Sequence, residues 1–270
     1  MKNKAPHRNE IAIIGGTGLE SLLEGIERIR VGTPYGLSPS MSIGEVRRRS
    51  VVFLPRHGHE HSTPPHKVNY RANIYALYTL GVERVIATNA VGAINLDFRP
   101  GDLVVPHDLI DFTKQRSLTF YDDAPVTHVD FSEPYCPEVR AAVIEKAKQA
   151  VNTVRDLAVY VCTEGPRFET PAEIRMLRAL GADVVGMTGV PETVLARELG
   201  MCYASLCFVS NMAAGIAQRI TSKEVLEVSE TVSSVIAKVL VEVIRDLPRT
   251  RQCSCSSSTK NSRVSEIKKC

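Results

Sequence analysis

The chain has 270 residues, of which 44% are hydrophobic, 6% aromatic and 23% charged, and it contains seven cysteines and no tryptophan. This is the composition of a globular protein long enough to bury a large core without disulfide bonds or a metal. Its formal charge of +3 is uneven, because residues 248–270 hold six basic residues and one acidic residue, which leaves −2 on the rest. A near-neutral body argues against nucleic acid as a main partner, and no apolar run has the length of a membrane span. We therefore expect a cytoplasmic protein, in which the cysteines would be free thiols, buried small apolar groups or metal ligands.

Short apolar runs that end in turn residues recur along the chain and predict buried strands. They cover residues 10–15, 51–54, 82–88, 103–105, 157–162, 183–186 and 202–209. Helix-compatible stretches lie between them, at residues 70–80, 137–151, 171–180, 192–200 and 223–244. This alternation predicts an α/β fold with a mostly parallel, buried sheet. Since no linker or repeat interrupts residues 10–246, we predict one domain over residues 1–247.

The C-terminal tail, residues 248–270, differs from the body in composition. It is basic, nearly free of apolar side chains, and contains three of the seven cysteines. Such a segment cannot bury enough surface to order itself, so we predict that it is disordered or docks onto a partner subunit.

Three predicted strands end in residues that suit an anion. After the first, the glycine-rich turn at residues 15–18 can direct backbone N–H groups at an anion, with the Thr17 hydroxyl as a further donor. Arg56 follows the second strand, and its guanidinium fork matches phosphate oxygens. Asn89 follows the third. Ligands of open α/β sheets bind at the carboxyl ends of strands, so these ends predict one anion site. The turn is neither a dinucleotide fingerprint nor a P-loop.

Four histidines lie close together in the sequence, at His57, His59, His61 and His66. Their spacing matches no metal-binding motif and the sequence has no C-x-x-C pair, so we expect no metal ion there. We expect His59 and His61 to be solvated. The alternative is a metal hydrolase built on these histidines, which a chelator should inactivate.

Two later strand ends, at residues 164–173 and 186–192, pass through turn residues into predicted helices. Glu169, just before a helix, is explained by the favourable charge of an acid near a helix N-terminus. Asn211 follows the last predicted strand, where asparagine more often forms a turn than contacts a ligand. Taken singly, these residues indicate no function.

Taken in order, the motifs GGTG, PRHG, VNYRANIYAL, NAVGAI, EGPRFET, VVGMTGVPE and SNMAAG resemble those of the nucleoside phosphorylase family. This family includes methylthioadenosine phosphorylase and trimeric purine nucleoside phosphorylase. The resemblance covers about residues 10–246, and the ordered combination is specific although each motif alone is weak. It implies a single α/β domain around a distorted, barrel-like sheet flanked by helices. It also implies phosphorolysis of an N-glycosidic bond without a metal or organic cofactor, in a trimer or a dimer of trimers.

The same resemblance assigns roles to individual residues. Met187 would lie under the ribose, Phe168 would stack on the base, and His128 would reach into the nucleoside pocket of the neighbouring subunit. Asn89 departs from the hydroxyl residue expected in the methylthioadenosine enzymes, although its amide can still donate to phosphate. The residues that correspond to the phosphate site are Thr17, Arg56, His57, Asn89, Ala90 and Thr188.

The base site departs from the methylthioadenosine enzymes, which carry Asp-x-Asp where this chain has Asn211, Met212 and Ala213. Asn211 can donate to a 6-oxo group, whereas a 6-amino group would need an acceptor. Glu169 can accept the proton that a 6-oxopurine carries on N1. We therefore predict phosphorolysis of 6-oxopurine nucleosides, with Asn211 and Glu169 as the catalytic residues. Ser222 falls near a family position associated with the 5′ substituent, and the substrates 5′-methylthioinosine and 5′-methylthioadenosine stay open. A non-catalytic purine-binding module is the alternative of another class.

By the same resemblance, Cys136 and Cys202 correspond to an intrachain disulfide of thermophilic members. Cys253 and Cys255 correspond to their C-terminal C-x-C, which can close a redox-labile disulfide. These pairings imply a thermophilic source, and seven free thiols would contradict them. Cys162 and Cys207 lie in apolar strands and are expected to be buried thiols.

Overall fold

The computed structural model describes residues 9–16, 19–58, 61–123, 125–216, 221–260 and 262, without the side chains of Ser222 and Glu224. The strands of this part are β1 (Ile11–Gly15), β2 (Glu24–Ile29), β3 (Gly32–Thr33), β4 (Gly36–Leu37), β5 (Met41–Val46), β6 (Arg49–Pro55), β7 (Arg84–Ala93), β8 (Leu103–Val104), β9 (Asp108–Phe112), β10 (Val154–Arg155), β11 (Val159–Thr163), β12 (Val184–Gly186) and β13 (Cys202–Met212). Its α-helices are α1 (Tyr70–Thr79), α2 (Pro137–Ala150), α3 (Pro171–Ala179), α4 (Gly189–Glu198) and α5 (Ser222–Asp246).

Eleven of the described strands form one mixed sheet with β7 near its centre. The main path runs β10-β8-β13-β7-β1-β6-β5-β2, and β7 also pairs with β12, which continues through β11 to β9. The central strands β6, β1, β7 and β13 are parallel, whereas at one edge β5 pairs antiparallel with both β6 and β2, and β12 pairs antiparallel with β7. The sheet is therefore mixed and mostly parallel, as predicted, and it branches at β7.

The central strands are largely apolar because helices cover both faces of the sheet. Along β1, Ile11 and Ile13 pack in one core with α2 and α5, while Ala12 and Ile14 pack in another with α1 and α4. Successive side chains of a strand point to opposite faces, so a strand covered on both sides favours apolar residues at successive positions. Within the described residues, no helix combines the length and the apolar character that crossing a membrane requires.

Several elements differ from their predicted bounds. β7 continues to Ala93 rather than ending near residue 88, and β13 continues to Met212 past an irregularity between Val209 and Asn211. α4 begins at Gly189, three residues before its predicted start. β2 was missed because it is almost wholly exposed and rich in charge, so it carries no apolar pattern.

The tail was expected to be disordered or to dock onto a partner subunit. That expectation is wrong as far as residue 260, because this part packs against its own chain. Arg251 donates to the Gly200 carbonyl (2.8 Å), and the Gln252 N–H donates to Glu138 (2.7 Å). Cys255 is only 1% exposed. Specific polar contacts and one buried cysteine hold a segment that has little apolar surface of its own.

Candidate active site

A cavity of about 570 Å³ lies at the carboxyl ends of β1 and β6, beside the interior of β7. Ala90 is the one exposed residue of β7, within a strand that is otherwise buried, so this part of the strand borders the open space. The residues after β1 and β6 therefore meet at one cavity as predicted, but they meet the interior of β7 and not its end, and Thr17 lies outside the described residues. These segments contribute Gly16, Arg56, His57, Thr88 and Ala90 to the lining, and α5 covers the opposite side.

Asn89 does not line this cavity, because it points to the opposite side of β7 from Thr88 and Ala90. Its Nδ2 donates to the Ser205 hydroxyl (2.6 Å), and its Oδ1 accepts from the Thr188 hydroxyl (3.0 Å). Asn89 is 4% exposed, so its amide is committed to these partners and positions Thr188. Thr88 was not predicted as a site residue, although strand alternation places it on the face of Ala90.

Arg56 is paired with a buried acid at the edge of the cavity. Its Nε and Nη2 donate to the two carboxylate oxygens of Glu192 (2.5 and 2.9 Å), and its Nη1 donates to the Thr88 carbonyl (2.8 Å). Burial alone would lower the pKa of Arg56, but the Glu192 carboxylate more than offsets it, so the pKa lies above its ordinary value. A guanidinium has five N–H groups, so two remain for an anion.

Sequence analysis gave Glu192 no role. It lies in the first turn of α4 and is 1% exposed. Besides Arg56, it accepts a hydrogen bond from the Tyr203 hydroxyl (2.8 Å). An acid is favourable near a helix N-terminus, and this alone accounts for Glu192 at the level of the sequence. The sequence therefore gave no sign that Glu192 is the counterion of Arg56.

His57 presents an acceptor to the cavity. Its Nδ1 lies 2.9 Å from the Thr63 carbonyl, which can only accept, so Nδ1 carries the proton. Burial and the nearby charge of Arg56 lower the pKa of His57 below its ordinary value. The ring is therefore neutral near pH 7, and Nε2 is free to accept a hydrogen bond. His61 stacks on it with ring centroids 5.3 Å apart, and His59 lies outside the described residues.

A second cavity, of about 370 Å³, lies beyond the end of β11 and contains Glu169. The Thr163 hydroxyl donates to Glu169 Oε1 (2.6 Å) and not to Oε2. Phe168, its neighbour in the chain, is 41% exposed. Phe168 is not part of the lining of this cavity, so its predicted stacking on the base stays a prediction.

The turn at Met187 and Thr188 lies between β7 and the second cavity. Thr188 is bonded to Asn89 on β7, whereas a Cβ added to Gly165, in the second cavity, would lie 2.6 Å from Met187 Sδ. The Arg116 Nη1 donates to the Met187 carbonyl (2.9 Å) and fixes the turn. Met187 therefore lies beside Gly165 of the second cavity, on a turn that Thr188 bonds to β7.

Asn211 lies at the irregular end of β13, opposite Gly92 of β7. The Ser210 hydroxyl donates to Asn211 Oδ1 (2.7 Å), and Asn211 Nδ2 donates to the Met212 carbonyl (2.9 Å). These contacts orient the amide and leave one Nδ2 proton for a ligand. Ala213 is 2% exposed and packs in the same core as Ile174 of α3, the helix that follows Glu169. This packing brings Asn211 and Glu169 to the same end of the sheet.

The sequence matches the phosphorylase superfamily over residues 10–245. The chain belongs to this superfamily. A probable 6-oxopurine nucleoside phosphorylase from Thermococcus kodakarensis is 52% identical over 260 residues, which cover 93% of this chain and 97% of that protein. A probable S-methyl-5′-thioinosine phosphorylase from Methanothermobacter thermautotrophicus is 50% identical, with 94% and 90% covered. The crystal structure of a methylthioadenosine phosphorylase from an antarctic soil metagenomic library has a TM-score of 0.88 at 34% identity, with 97% and 94% covered.

Two further predicted site residues of this phosphorylase are His128 and Ser222. His128 is exposed, and its backbone N–H donates to the carbonyl of Ser262 in the tail (2.9 Å). Ser222 begins α5, whose Val225 and Leu226 line the first cavity. The side chain of Ser222 is outside the described residues, so its predicted role in specificity stays a prediction.

The predicted disulfide pairs are absent among the described cysteines of the phosphorylase. Cys136, Cys202, Cys253 and Cys255 are free thiols, and their Sγ atoms lie in one cluster, all within 4.8 Å of one another. The two pairs were predicted as separate bridges, but the docked tail brings them to the same place. Cys162 is a buried thiol, as predicted, and so is Cys207.

Proposed function

We propose that this phosphorylase cleaves the N-glycosidic bond of 6-oxopurine nucleosides with inorganic phosphate, and releases the purine base and the sugar 1-phosphate. The observation that carries the proposal is the end of β13, where an oriented Asn211 amide is followed by the buried, apolar Ala213. An amide N–H suits the 6-oxo acceptor. An adenine amino group would need an acceptor that Ala213 does not offer.

The reaction builds negative charge on the departing purine, over N7 and O6. Asn211 Nδ2 donates to this edge most strongly as the charge develops, and such an interaction lowers the barrier. Glu169 accepts the N1–H of the base through its second carboxylate oxygen. Phe168 stacks on the base, and Met212 and Ala213 form its apolar border.

Phosphate binds in the first cavity and attacks C1′ from below the sugar. Two N–H groups of Arg56 and the Ala90 backbone N–H donate to its oxygens, and His57 Nε2 accepts a phosphate hydroxyl. Thr17 completes the site, whereas Thr188 and Asn89, which bond to each other, act by holding the turn that carries Met187. Met187 lies under the ribose. Holding phosphate and C1′ in line lowers the entropy cost of bringing the two reactants together. The proposed reaction uses phosphate as co-substrate and no other cofactor.

A second candidate substrate is 5′-methylthioinosine. Val225 and Leu226 form an apolar part of the otherwise mixed lining that α5 gives the first cavity. A methylthio group is more favourable next to such side chains than a hydroxyl group is. The relative from Methanothermobacter thermautotrophicus is named for this substrate. Adenine nucleosides, including 5′-methylthioadenosine, are disfavoured by the same Asn211 and Ala213 chemistry.

The active form is proposed to be a trimer or a dimer of trimers. His128 is exposed on its own chain and lies in a segment anchored at Ser262. In the oligomer it would complete the nucleoside pocket of the neighbouring subunit.

The decisive experiment compares base release from inosine, guanosine, 5′-methylthioinosine and 5′-methylthioadenosine, with and without phosphate. We expect release only with phosphate, and faster release from the 6-oxopurines. Asn211→Ala should lower kcat by roughly 100- to 1000-fold, as loss of a charge-stabilising donor does elsewhere. Glu169→Gln should lower kcat/KM by roughly 10- to 100-fold. Glu145→Gln, on the exposed side of α2, is the matched control. Undiminished inosine phosphorolysis in both site variants would refute the assignment.

A further inference from the structure

Four cysteine thiols converge at a point outside the two cavities. Cys136 precedes α2, Cys202 begins β13, and Cys253 and Cys255 come from the tail. All four Sγ atoms lie within 4.8 Å of one another, and those of Cys202 and Cys253 are 3.3 Å apart. Cys136, Cys202 and Cys255 are buried, whereas Cys253 is half-buried. Solvent therefore reaches the cluster at Cys253.

We propose that these four cysteines bind one Zn²⁺ ion in a tetrahedral structural site. Zn–S bonds of about 2.3 Å place the sulfurs of such a site roughly 3.8 Å apart. The spacing in this structure brackets that value, so small side-chain movements suffice. Binding replaces up to four thiol protons with four Zn–S bonds and leaves a net charge of −2 on the site.

The surrounding charges favour a metal over disulfides. Arg197 Nη1 lies 3.6 Å from Cys255 Sγ. Arg84 is fully buried directly opposite Cys202 in the sheet, and its Nε and Nη1 have no partner among the described residues. Glu138 contacts its Nη2 (3.2 Å). Buried cations require nearby negative charge. Two disulfides would be neutral, whereas a zinc tetrathiolate supplies that charge.

The site would fasten the tail to the segment that carries His128. The Ser258 hydroxyl donates to the carbonyl of Arg197 (2.6 Å), and the Ser262 carbonyl accepts from the His128 N–H (2.9 Å). Arg197 Nε also donates to the Asp130 carbonyl (3.4 Å). Metal binding at the cysteines therefore stabilises both the tail and residues 128–130, whichever nucleoside the enzyme uses.

The test uses the full-length protein, expressed with zinc and purified under reducing conditions without a chelator. Elemental analysis should find about one zinc per chain in the wild type and in Cys162→Ser, which removes a buried thiol outside the cluster. Cys202→Ser and Cys253→Ser should each lower the zinc content at least tenfold. Because Cys253 is half-buried in the tail, its variant keeps the core intact. Cobalt reconstitution should give the absorption of a tetrahedral thiolate site.

Hydrogen exchange supplies a readout that is independent of metal content. The His128 amide should exchange at least tenfold faster in Cys253→Ser than in the wild type, because its acceptor lies in the tail. Reduced protein that takes up neither zinc nor cobalt would overturn the proposal. So would peptide mapping that finds the four sulfurs in two disulfides, together with no metal uptake after reduction.

Discussion

Arg56 and Glu192 show how a single residue's function depends on a partner far away in the sequence. Arg56 has the side chain and the position of a phosphate ligand. Three of its N–H groups, however, donate hydrogen bonds to Glu192 and to the Thr88 carbonyl. The pair keeps a cation at the cavity edge without an unpaired buried charge. The same contacts hold the guanidinium rigid, which suits a group that must position a nucleophile.

Removal of Glu192 should be strongly destabilising. Glu192→Ala leaves the Arg56 guanidinium buried without its carboxylate, and breaking a buried ion pair from one side costs about 3–5 kcal/mol. Urea denaturation measures this loss. The control is Glu227→Ala, which removes the exposed partner of Lys223 and should cost less than about 1 kcal/mol. Equal losses in the two variants would contradict the importance of the buried pair.

At the scale of elements, the start of α4 determines where the site residues lie. The Tyr160 hydroxyl of β11 accepts from the Gly189 N–H (3.2 Å) at the first turn of this helix. Gly186 needs to be glycine, because an added Cβ would overlap the Tyr160 hydroxyl. Met187 and Thr188 lie between these two contacts, so one tyrosine of a core strand sets the turn that carries both residues.

Tyr160→Phe should loosen this turn without removing apolar packing. The Gly189 N–H would be left buried and unpaired, which costs about 1–3 kcal/mol. We expect a matching loss in the free energy of unfolding, and a higher KM for nucleoside because Met187 and Thr188 shift. Both are measurable by urea denaturation and steady-state kinetics. Tyr78→Phe, at an exposed tyrosine of α1, should change neither, and an unaffected Tyr160→Phe would show that the hydroxyl does not hold the turn.

At the scale of the whole molecule, the tail ties distant parts of the chain together. Arg251 pairs with Glu83 (3.3 Å), and Cys255 packs in the core that also contains α2 and α5. The tail then reaches His128 through Ser262. The tail has the composition of a disordered segment, yet it contacts the loop that carries His128. This loop is the one proposed to complete the nucleoside pocket of a neighbouring subunit.

Subunit mixing tests whether His128 acts in the neighbouring pocket. His128→Ala and Asn211→Ala should each be poorly active alone. In mixed oligomers, an intact Asn211 of one subunit meets an intact His128 of the next, so co-refolding equal amounts should restore about a quarter of wild-type activity. Absence of any recovery in oligomers shown by mass spectrometry to be mixed would place His128 outside the neighbour's pocket.

The sequence by itself determined the α/β class and the presence of the central strands, because strands buried on both faces are largely apolar. It also gave four of the five described helices to within about two residues. It also determined the family, through the order of the motifs. Only the tertiary structure decided that Asn89 turns away from the cavity, that Glu192 neutralises Arg56 and that the tail docks on its own chain. It also decided that the thiols of four cysteines from three parts of the chain lie in one cluster. These features depend on contacts between residues far apart in the sequence, and local patterns carry no record of which distant residues meet.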